Sequence, residues 1–154
     1  MLISVILVSY NTAQMSVEAL NSLFASQGDF ALEVFVVDNA SKDDSVQVIQ
    51  KAYPDITLIE NKENVGFGRA NNQVLDIAKG EYILLLNTDA FVQAETLQKT
   101  VQYMQAHPRC GVLGVKLLGR DGELQPSCRY FPTPFNFCRS CRVASSVAKY
   151  QDGR

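Results

Sequence analysis

Short polar segments stand at four points of the chain where an apolar run ends. They contain amides and hydroxyls that donate and accept hydrogen bonds, carboxylates that accept them or hold a divalent cation, and the aromatic ring of Tyr10. The segments are residues 9–11, 38–39, 61–72 and 87–89. Any one of them alone predicts a turn or a helix cap, because Asn, Asp and Ser favour both. Four of them together indicate a ligand site.

Two common phosphate-binding loops are absent from the sequence. The turn after the first apolar run contains no glycine, and no GxxxxGK[ST] pattern occurs, which excludes a Rossmann dehydrogenase and a P-loop NTPase. A bound diphosphate would then need a divalent cation, held by a carboxylate and the phosphate oxygens. Asp89 is the best placed carboxylate, although its spacing alone is equally compatible with a turn residue.

Alternating strands and helices must position these segments. Continuous apolar runs predict strands, and apolar residues at three-and-four spacing predict helices between them. The predicted strands are residues 2–8, 32–37, 56–59 and 82–86, and the helices lie at about 15–24, 42–53, 67–78 and 94–106. Ser41 is predicted to cap the second helix and Gly80 to end the third in a left-handed conformation. The pattern predicts a doubly wound α/β fold with a mostly parallel sheet, whose strand ends share one edge.

The composition suits one domain without a membrane span. The chain has 154 residues, a net charge of −2 and 47% hydrophobic residues, and its longest apolar runs are far short of the roughly 20 residues that cross a bilayer. No basic segment precedes the first run, so we expect a cytoplasmic protein, and the charge balance predicts no nucleic-acid partner. The pair Cys138 and Cys141 is interpreted as ordinary thiols, with a metal or redox role as the weaker alternative.

Four segments, in order and at the expected spacings, resemble the N-terminal half of family 2 glycosyltransferases with the GT-A fold. They read VILVSYN at 5–11, VVDNAS at 36–41, NVGFGRANN at 64–72 and GEYILLLNTD at 80–89. The forms at 64–72 and 85–89 are most similar to the rhamnosyltransferase-type branch, which builds cell-surface polysaccharides. The resemblance implies a nucleotide-sugar-binding domain over residues 1–127, followed by a poorly patterned tail, 128–154, that begins an acceptor-binding half.

The resemblance also implies roles for the residues that follow the first two strands. Asp38 would accept a hydrogen bond from N3–H of uracil or thymine, a proton that cytosine lacks, and its alternative is a helix cap. Tyr10 would lie against the base, or else pack on the sheet edge. Ser9, Asn11 and Asn39 would shape the nucleoside pocket.

The resemblance implies that Gly66 lets the backbone approach the diphosphate and that Arg69 contacts it. The alternatives are a tight helix entry for Gly66 and an exposed, solvated side chain for Arg69. The segment at 87–89 matches the DxD metal motif of the family, with an amide at its first position. Asn87 would bind a ribose hydroxyl, and the metal, Mg²⁺ or Mn²⁺, would rest on Asp89, the diphosphate and water.

The implied reaction transfers a sugar from a dTDP-rhamnose or UDP-sugar donor to a saccharide or lipid-linked acceptor, with inversion. A lipid-linked acceptor would bring the protein to the inner face of the cell membrane. The family's catalytic base lies further along the chain and is expected downstream of Arg154, so this chain is expected to bind nucleotide better than it transfers sugar. Two alternatives are a non-catalytic nucleotide-binding or scaffold module of the same fold, and a receiver-like domain phosphorylated on a post-strand aspartate.

Overall fold

The structure is a computed structural model that describes residues 1–119 and 121–125. Contacts divide the chain into two units, Met1–Leu113 and Gly114–Arg154. The first unit contains β1 (Leu2–Ser9), α1 (Ala13–Phe24), β2 (Ala31–Asp38), α2 (Ser45–Ala52), β3 (Thr57–Glu60), α3 (Phe67–Leu75), β4 (Tyr82–Leu86) and α4 (Thr96–Ala106).

The described part of the second unit is a short antiparallel hairpin. Its strands are β5 (Leu117–Leu118) and β6 (Leu124–Gln125), and Gly122 in the connection has a φ of 79°, a conformation that glycine adopts readily in tight turns. The predicted boundary after residue 127 and the pair Cys138 and Cys141 lie outside the described residues.

The four strands of the first unit form one parallel sheet in the order β3-β2-β1-β4. Each connection is long enough to hold a helix, as parallel pairing requires. The strands at 82–86 and at the chain start form where the sequence predicts them, because strands buried between helices are continuous apolar runs. The predicted doubly wound α/β fold is confirmed.

Helices cover both faces of the sheet. On one face the side chains of Ile3, Val5 and Leu7 pack in a cluster with residues of α1, α2 and α4. On the other face Ile6 packs in a second cluster with β2 and α3. Successive residues of β1 therefore alternate between the two clusters, which holds this strand at the centre of the sheet.

Three local predictions were wrong. Helix α2 begins at Ser45 rather than after Ser41, and α3 ends at Leu75, before the predicted residue 78. Gly80 does not have a positive φ. A Cβ at Gly80 would overlap the backbone nitrogen of Ser4, so glycine is required there by close packing against β1 and not by a helix end.

Two further features concern the surface. In the part of the chain that the structure describes, no helix is long and apolar enough to cross a membrane. On β4, the side chains of Ile83 and Leu85 are exposed, whereas Leu86 is buried.

Candidate donor-binding site

The four polar segments leave the same edge of the sheet. Parallel register aligns Ser9 with Asp38 and Asp38 with Glu60, and it places Leu86 beside Leu7. Backbone bonds continue the pairing past the strand ends, with N–H groups of Asn39 and Asn61 donating to the carbonyls of Ser9 and Asp38 at 2.8 Å each. The predicted juxtaposition at the carboxyl ends is therefore present.

Asp38 is the most enclosed carboxylate at this edge, with 2% of the residue exposed. Ser41 contacts both of its oxygens: the backbone N–H donates to Oδ2 at 2.8 Å and the hydroxyl donates to Oδ1 at 2.5 Å. The carboxylate therefore organises the turn that follows β2, but it does not cap α2, which begins at Ser45. Each oxygen keeps a second lone pair that can accept a hydrogen bond from a ligand.

The loop after β1 is bonded to the loop after β2. Asn11 donates its backbone N–H to the Ser41 hydroxyl at 2.8 Å, and its side-chain oxygen accepts from the backbone N–H of Lys42 at 2.7 Å. Both loops contain a left-handed residue that is not glycine, Asn11 with φ 53° and Ala40 with φ 64°. Asparagine tolerates the left-handed conformation. For alanine this conformation costs about 1–2 kcal/mol of conformational free energy, so surrounding contacts must hold Ala40 in place.

Two predicted pocket residues lie beneath the surface. Ser9 is 0% exposed, and its hydroxyl is within hydrogen-bonding distance of Thr12 Oγ1 at 3.1 Å and Ser16 Oγ at 3.2 Å. Asn39 is also buried, and its Oδ1 accepts from the Asn61 amide at 2.9 Å. Both side chains support the wall of the site rather than face open space.

An amide pair joins the loop after β3 to α3. The Asn61 and Gln73 side chains exchange hydrogen bonds, at 3.2 Å and 2.9 Å. Because Asn61 also bonds Asn39, the ends of β2 and β3 and the helix are held together through side chains.

The entry to α3 leaves space for a ligand. Gly66 has a φ of 80°, its N–H donates to Asn64 Oδ1 at 3.0 Å, and a Cβ placed on Gly66 or Gly68 would meet nothing within 4 Å. Arg69 follows on the first turn with an exposed side chain, and among the described residues it forms no ion pair.

Tyr10, Asn87 and Asp89 are exposed at the same edge, with 44% of Tyr10 exposed. The Asn87 carbonyl accepts from the Ala90 N–H at 3.2 Å, which closes a turn directly after β4. Residues 87–89 therefore leave β4 in a turn. The exposed aromatic ring of Tyr10 can pack against a planar ligand.

The side chains at residues 87–89 fit a metal ion that is also coordinated by a nucleotide. In residues 1–119 and 121–125 no group of three or more His, Cys, Asp or Glu side chains could hold an ion. Asp89 on its own is only a partial ligand set. Mg²⁺ sites commonly combine one or two carboxylates with substrate phosphates and water, which is the kind of site that this set can complete.

Asp43, in the loop after β2, has a perturbed pKa. The hydroxyl of Ser45 donates to Asp43 at 2.5 Å and, with backbone N–H groups, holds the pKa of Asp43 below its usual value. Asp43 Oδ1 also accepts the backbone N–H of Ser45, the first residue of α2, at 3.1 Å, whereas Ser41, the predicted cap, does not cap this helix.

Sequence reasoning missed three supporting side chains: the loop-bridging role of Ser41 and the contacts of Thr12 and Gln73. Their partners lie up to 30 residues away along the chain, and the only available signal was their presence in or beside the polar segments.

The chain is similar in sequence to proteins of a known family. The profile of glycosyl transferase family 2 matches residues 4–137. The chain is 31% identical over 136 residues to the poly(ribitol-phosphate) beta-N-acetylglucosaminyltransferase TarS of Staphylococcus aureus, covering 84% of this chain and 23% of TarS. It is also 31% identical over 140 residues to a poly(ribitol-phosphate) beta-glucosyltransferase of Bacillus spizizenii, covering 86% of this chain and 22% of that protein.

Solved structures show the same fold. The crystal structure of residues 1–349 of S. aureus TarS with UDP-GlcNAc matches with a TM-score of 0.62 and 31% identity, over 70% of this chain and 32% of that one. The mannosyltransferase PcManGT of Pyrobaculum calidifontis with GDP-Man and Mn²⁺ matches with a TM-score of 0.61 and 32% identity, over 66% and 32% of the two chains. The chain thus spans about a quarter of the length of the two named relatives and about a third of the length of the two solved chains.

Proposed function

The chain belongs to glycosyl transferase family 2, and we propose that it binds a pyrimidine nucleoside diphosphate-sugar as the donor-binding part of an inverting glycosyltransferase. The observation that carries the proposal is the enclosed Asp38 carboxylate at the sheet edge, with a free lone pair on each oxygen. A ring N–H of uracil or thymine is a donor that such a group would bind, whereas cytosine has no proton at N3.

The remaining contacts follow from the exposed side chains around Asp38. We propose that Tyr10 stacks on the base and that the Asn11 loop borders the ribose. Asn87 would accept or donate to a ribose hydroxyl. The open backbone at Gly66 and the guanidinium of Arg69 would approach the diphosphate, whose negative charge Arg69 complements.

Asp89 would hold Mg²⁺ or Mn²⁺ together with the diphosphate oxygens. The cation, when bound, supplies positive charge that stabilises the departing nucleoside diphosphate. PcManGT was solved with GDP-Man and Mn²⁺, which supports a divalent ion in such a site. Because the segment at 87–89 contains a single carboxylate, Asp89, we expect metal affinity to be weak until the nucleotide is present.

In the proposed transfer, an acceptor hydroxyl attacks the anomeric carbon, the bond from that carbon to the diphosphate breaks, and the configuration inverts. The hydroxyl proton passes to a general base that we expect from outside the described residues. The named relatives act on poly(ribitol-phosphate), and on that basis we propose a cell-surface glycopolymer acceptor, reached from the cytoplasmic side. UDP-GlcNAc, bound in the TarS structure, is a candidate donor beside dTDP-rhamnose.

The experiment is a thermal-shift titration with UDP, dTDP, GDP and ADP, each with and without Mn²⁺. A ligand at a hundred times its Kd stabilises a native protein by about 2.7 kcal/mol, which corresponds to roughly 5–10 °C for a chain of this size. We expect such a shift with UDP or dTDP, dependent on Mn²⁺ and lost in Asp89→Ala. The matched control is Asp55→Ala, which removes an exposed carboxylate before β3, at the opposite edge of the sheet.

The alternative proposal is a non-catalytic module that kept the fold. The amide of Asn87, where the family pattern has a carboxylate, is the observation that favours it. This alternative predicts a folded protein whose unfolding temperature does not change with any of the four nucleotides. A shift with GDP alone would instead contradict the assignment of a pyrimidine base.

A further inference from the structure

Among the described residues, the Ser41 side chain hydrogen-bonds both to Asp38 and to the loop after β1. A hydroxyl has one proton to donate and two lone pairs. In Ser41 the proton goes to Asp38 Oδ1 at 2.5 Å, and one lone pair accepts the backbone N–H of Asn11 at 2.8 Å. The Ser41 backbone N–H donates to the other oxygen of Asp38 at 2.8 Å.

These bonds fix the orientation of the carboxylate. Two donors from one residue engage both oxygens, so rotation of the carboxylate about its terminal bond would break one of them. Asp38 is only 2% exposed, and it therefore has few alternative partners in water. The direction in which its free lone pairs point is set by Ser41.

The same hydroxyl positions the opposite loop. Its bond to Asn11 holds a residue with φ 53°, directly after Tyr10, in a left-handed conformation. The adjacent bond from the Lys42 N–H to Asn11 Oδ1 at 2.7 Å closes the connection. These bonds therefore fix the distance between the Tyr10 loop and the buried Asp38 carboxylate.

We propose that Ser41 is a positioning residue that sets selectivity for a base with a ring N–H. The proposal rests on the proposed function, in which Asp38 accepts that N–H. Ser41 itself does not contact the ligand. It orients the Asp38 carboxylate and holds the Tyr10 loop in place. A base without a ring N–H then gives Asp38 no hydrogen-bond donor, which is unfavourable in an enclosed site.

The test compares UDP with N3-methyl-UDP by calorimetric titration in the presence of Mn²⁺. A lost hydrogen bond to a charged group weakens binding by roughly tenfold or more, so wild type should prefer UDP by at least that factor. Ser41→Ala should reduce the preference to about twofold, chiefly by weakening UDP binding. Ser41→Thr, which keeps the hydroxyl, should restore the wild-type preference.

Ser45→Ala is the matched control. Ser45 makes a similar hydroxyl bond of 2.5 Å to Asp43 in the same loop, and it is fully buried. Its removal should lower stability without changing the preference for UDP. Should Ser41→Ala fail to fold, Ser41→Cys replaces it, because a thiol is a weak donor and should also lose the preference.

The outcomes separate the two proposals. If wild type binds none of the nucleotides, the proposed function fails before any variant is measured. If wild type binds UDP and N3-methyl-UDP equally, base recognition by Asp38 fails, and the role of Ser41 fails with it. If wild type prefers UDP and Ser41→Ala keeps that preference, the positioning role alone is overturned.

Discussion

Ser4 and Gly80 meet at the end of the sheet opposite the candidate site. The Gly80 N–H donates to the Ser4 hydroxyl at 2.8 Å, and that hydroxyl donates to Glu33 at 2.7 Å. Glu33 also accepts the backbone N–H of Lys79 at 2.9 Å. The connection into β4 is therefore bonded to both β1 and β2, and this contact helps to fix the register that places Asn87 beside the other loops.

Gly80→Ala should destabilise the protein, because its Cβ would overlap the Ser4 backbone, which cannot move without disturbing β1. Overpacking of this kind costs about 1–3 kcal/mol. The measurement is the free energy of unfolding in urea. The control is Gly68→Ala in α3, where the added methyl meets nothing within 4 Å and should be neutral or stabilising by up to about 1 kcal/mol. Equal effects at both positions would contradict the packing argument.

Glu33 should make stability depend on pH in the acid range. The Lys79 N–H, and after it the Ser4 hydroxyl, hold the pKa of Glu33 below its usual value of 4.5. Because the folded state lowers this pKa, the stabilisation is fully present above about pH 4.5 and is lost as the pH falls through the folded-state value.

Unfolding temperatures of wild type and Glu33→Gln, measured from pH 7 to pH 3, should therefore differ at neutral pH and converge in acid. Glu95→Gln is the control. The Lys99 ammonium, 2.6 Å away, lowers the pKa of Glu95 through a hydrogen bond and its charge, but both side chains are exposed, so added salt should abolish that variant's effect. A Glu33→Gln difference that persists at pH 3 would contradict the assignment.

Ser9→Ala should lower stability without weakening nucleotide binding, because its hydroxyl is enclosed with Thr12 and Ser16. The loss of a buried hydrogen bond costs about 0.5–1.5 kcal/mol. Ser16→Ala should cost a similar amount, and both are measured by urea unfolding and by titration with UDP. Loss of UDP binding at unchanged stability in Ser9→Ala would mean that the hydroxyl contacts the ligand, as the family resemblance implies.

Asn61 and Gln73 should act as a coupled pair. A double-mutant cycle with Asn61→Ala and Gln73→Ala should give an interaction energy of about 0.5–1.5 kcal/mol, since the two amides exchange bonds at 3.2 Å and 2.9 Å. The control cycle uses Gln14 and Glu18, whose single exposed bond on α1 is 2.9 Å and should couple by about 0.2–0.5 kcal/mol. Additive effects of the two Asn61 and Gln73 substitutions would disprove the coupling.

The sheet edge could be predicted from the sequence because it depends on local patterns. Buried parallel strands are continuous apolar runs, and polar residues end them, so β4 was bounded correctly at Tyr82 and Leu86. The positions of Asp38 and Asp89 at one edge followed from the strand ends alone.

The side-chain partners at that edge could not be predicted, because they lie far apart in the chain. Gly80 contacts Ser4 across 76 residues, and Asn11 contacts Ser41 across 30. Local reasoning explains Gly80 as a helix end and Ser41 as a helix cap, since Gly and Ser favour those positions. Only the packed sheet shows that both residues join separate strands.

We expect strand β4 to be held to the sheet less firmly than β2. Ile3 of β1 pairs with Leu32 and with Tyr82, and the second pairing closes a much longer loop, which costs more chain entropy. Within the described residues β4 pairs with β1 alone, and Ile83 and Leu85 are exposed. Its amide protons should consequently exchange with solvent deuterium sooner than those of β2. A ligand that contacts both Asp89 and the loops after β1 and β2 would suppress local unfolding of β4. Slower deuterium uptake along β4 would therefore be a direct sign that the site is occupied.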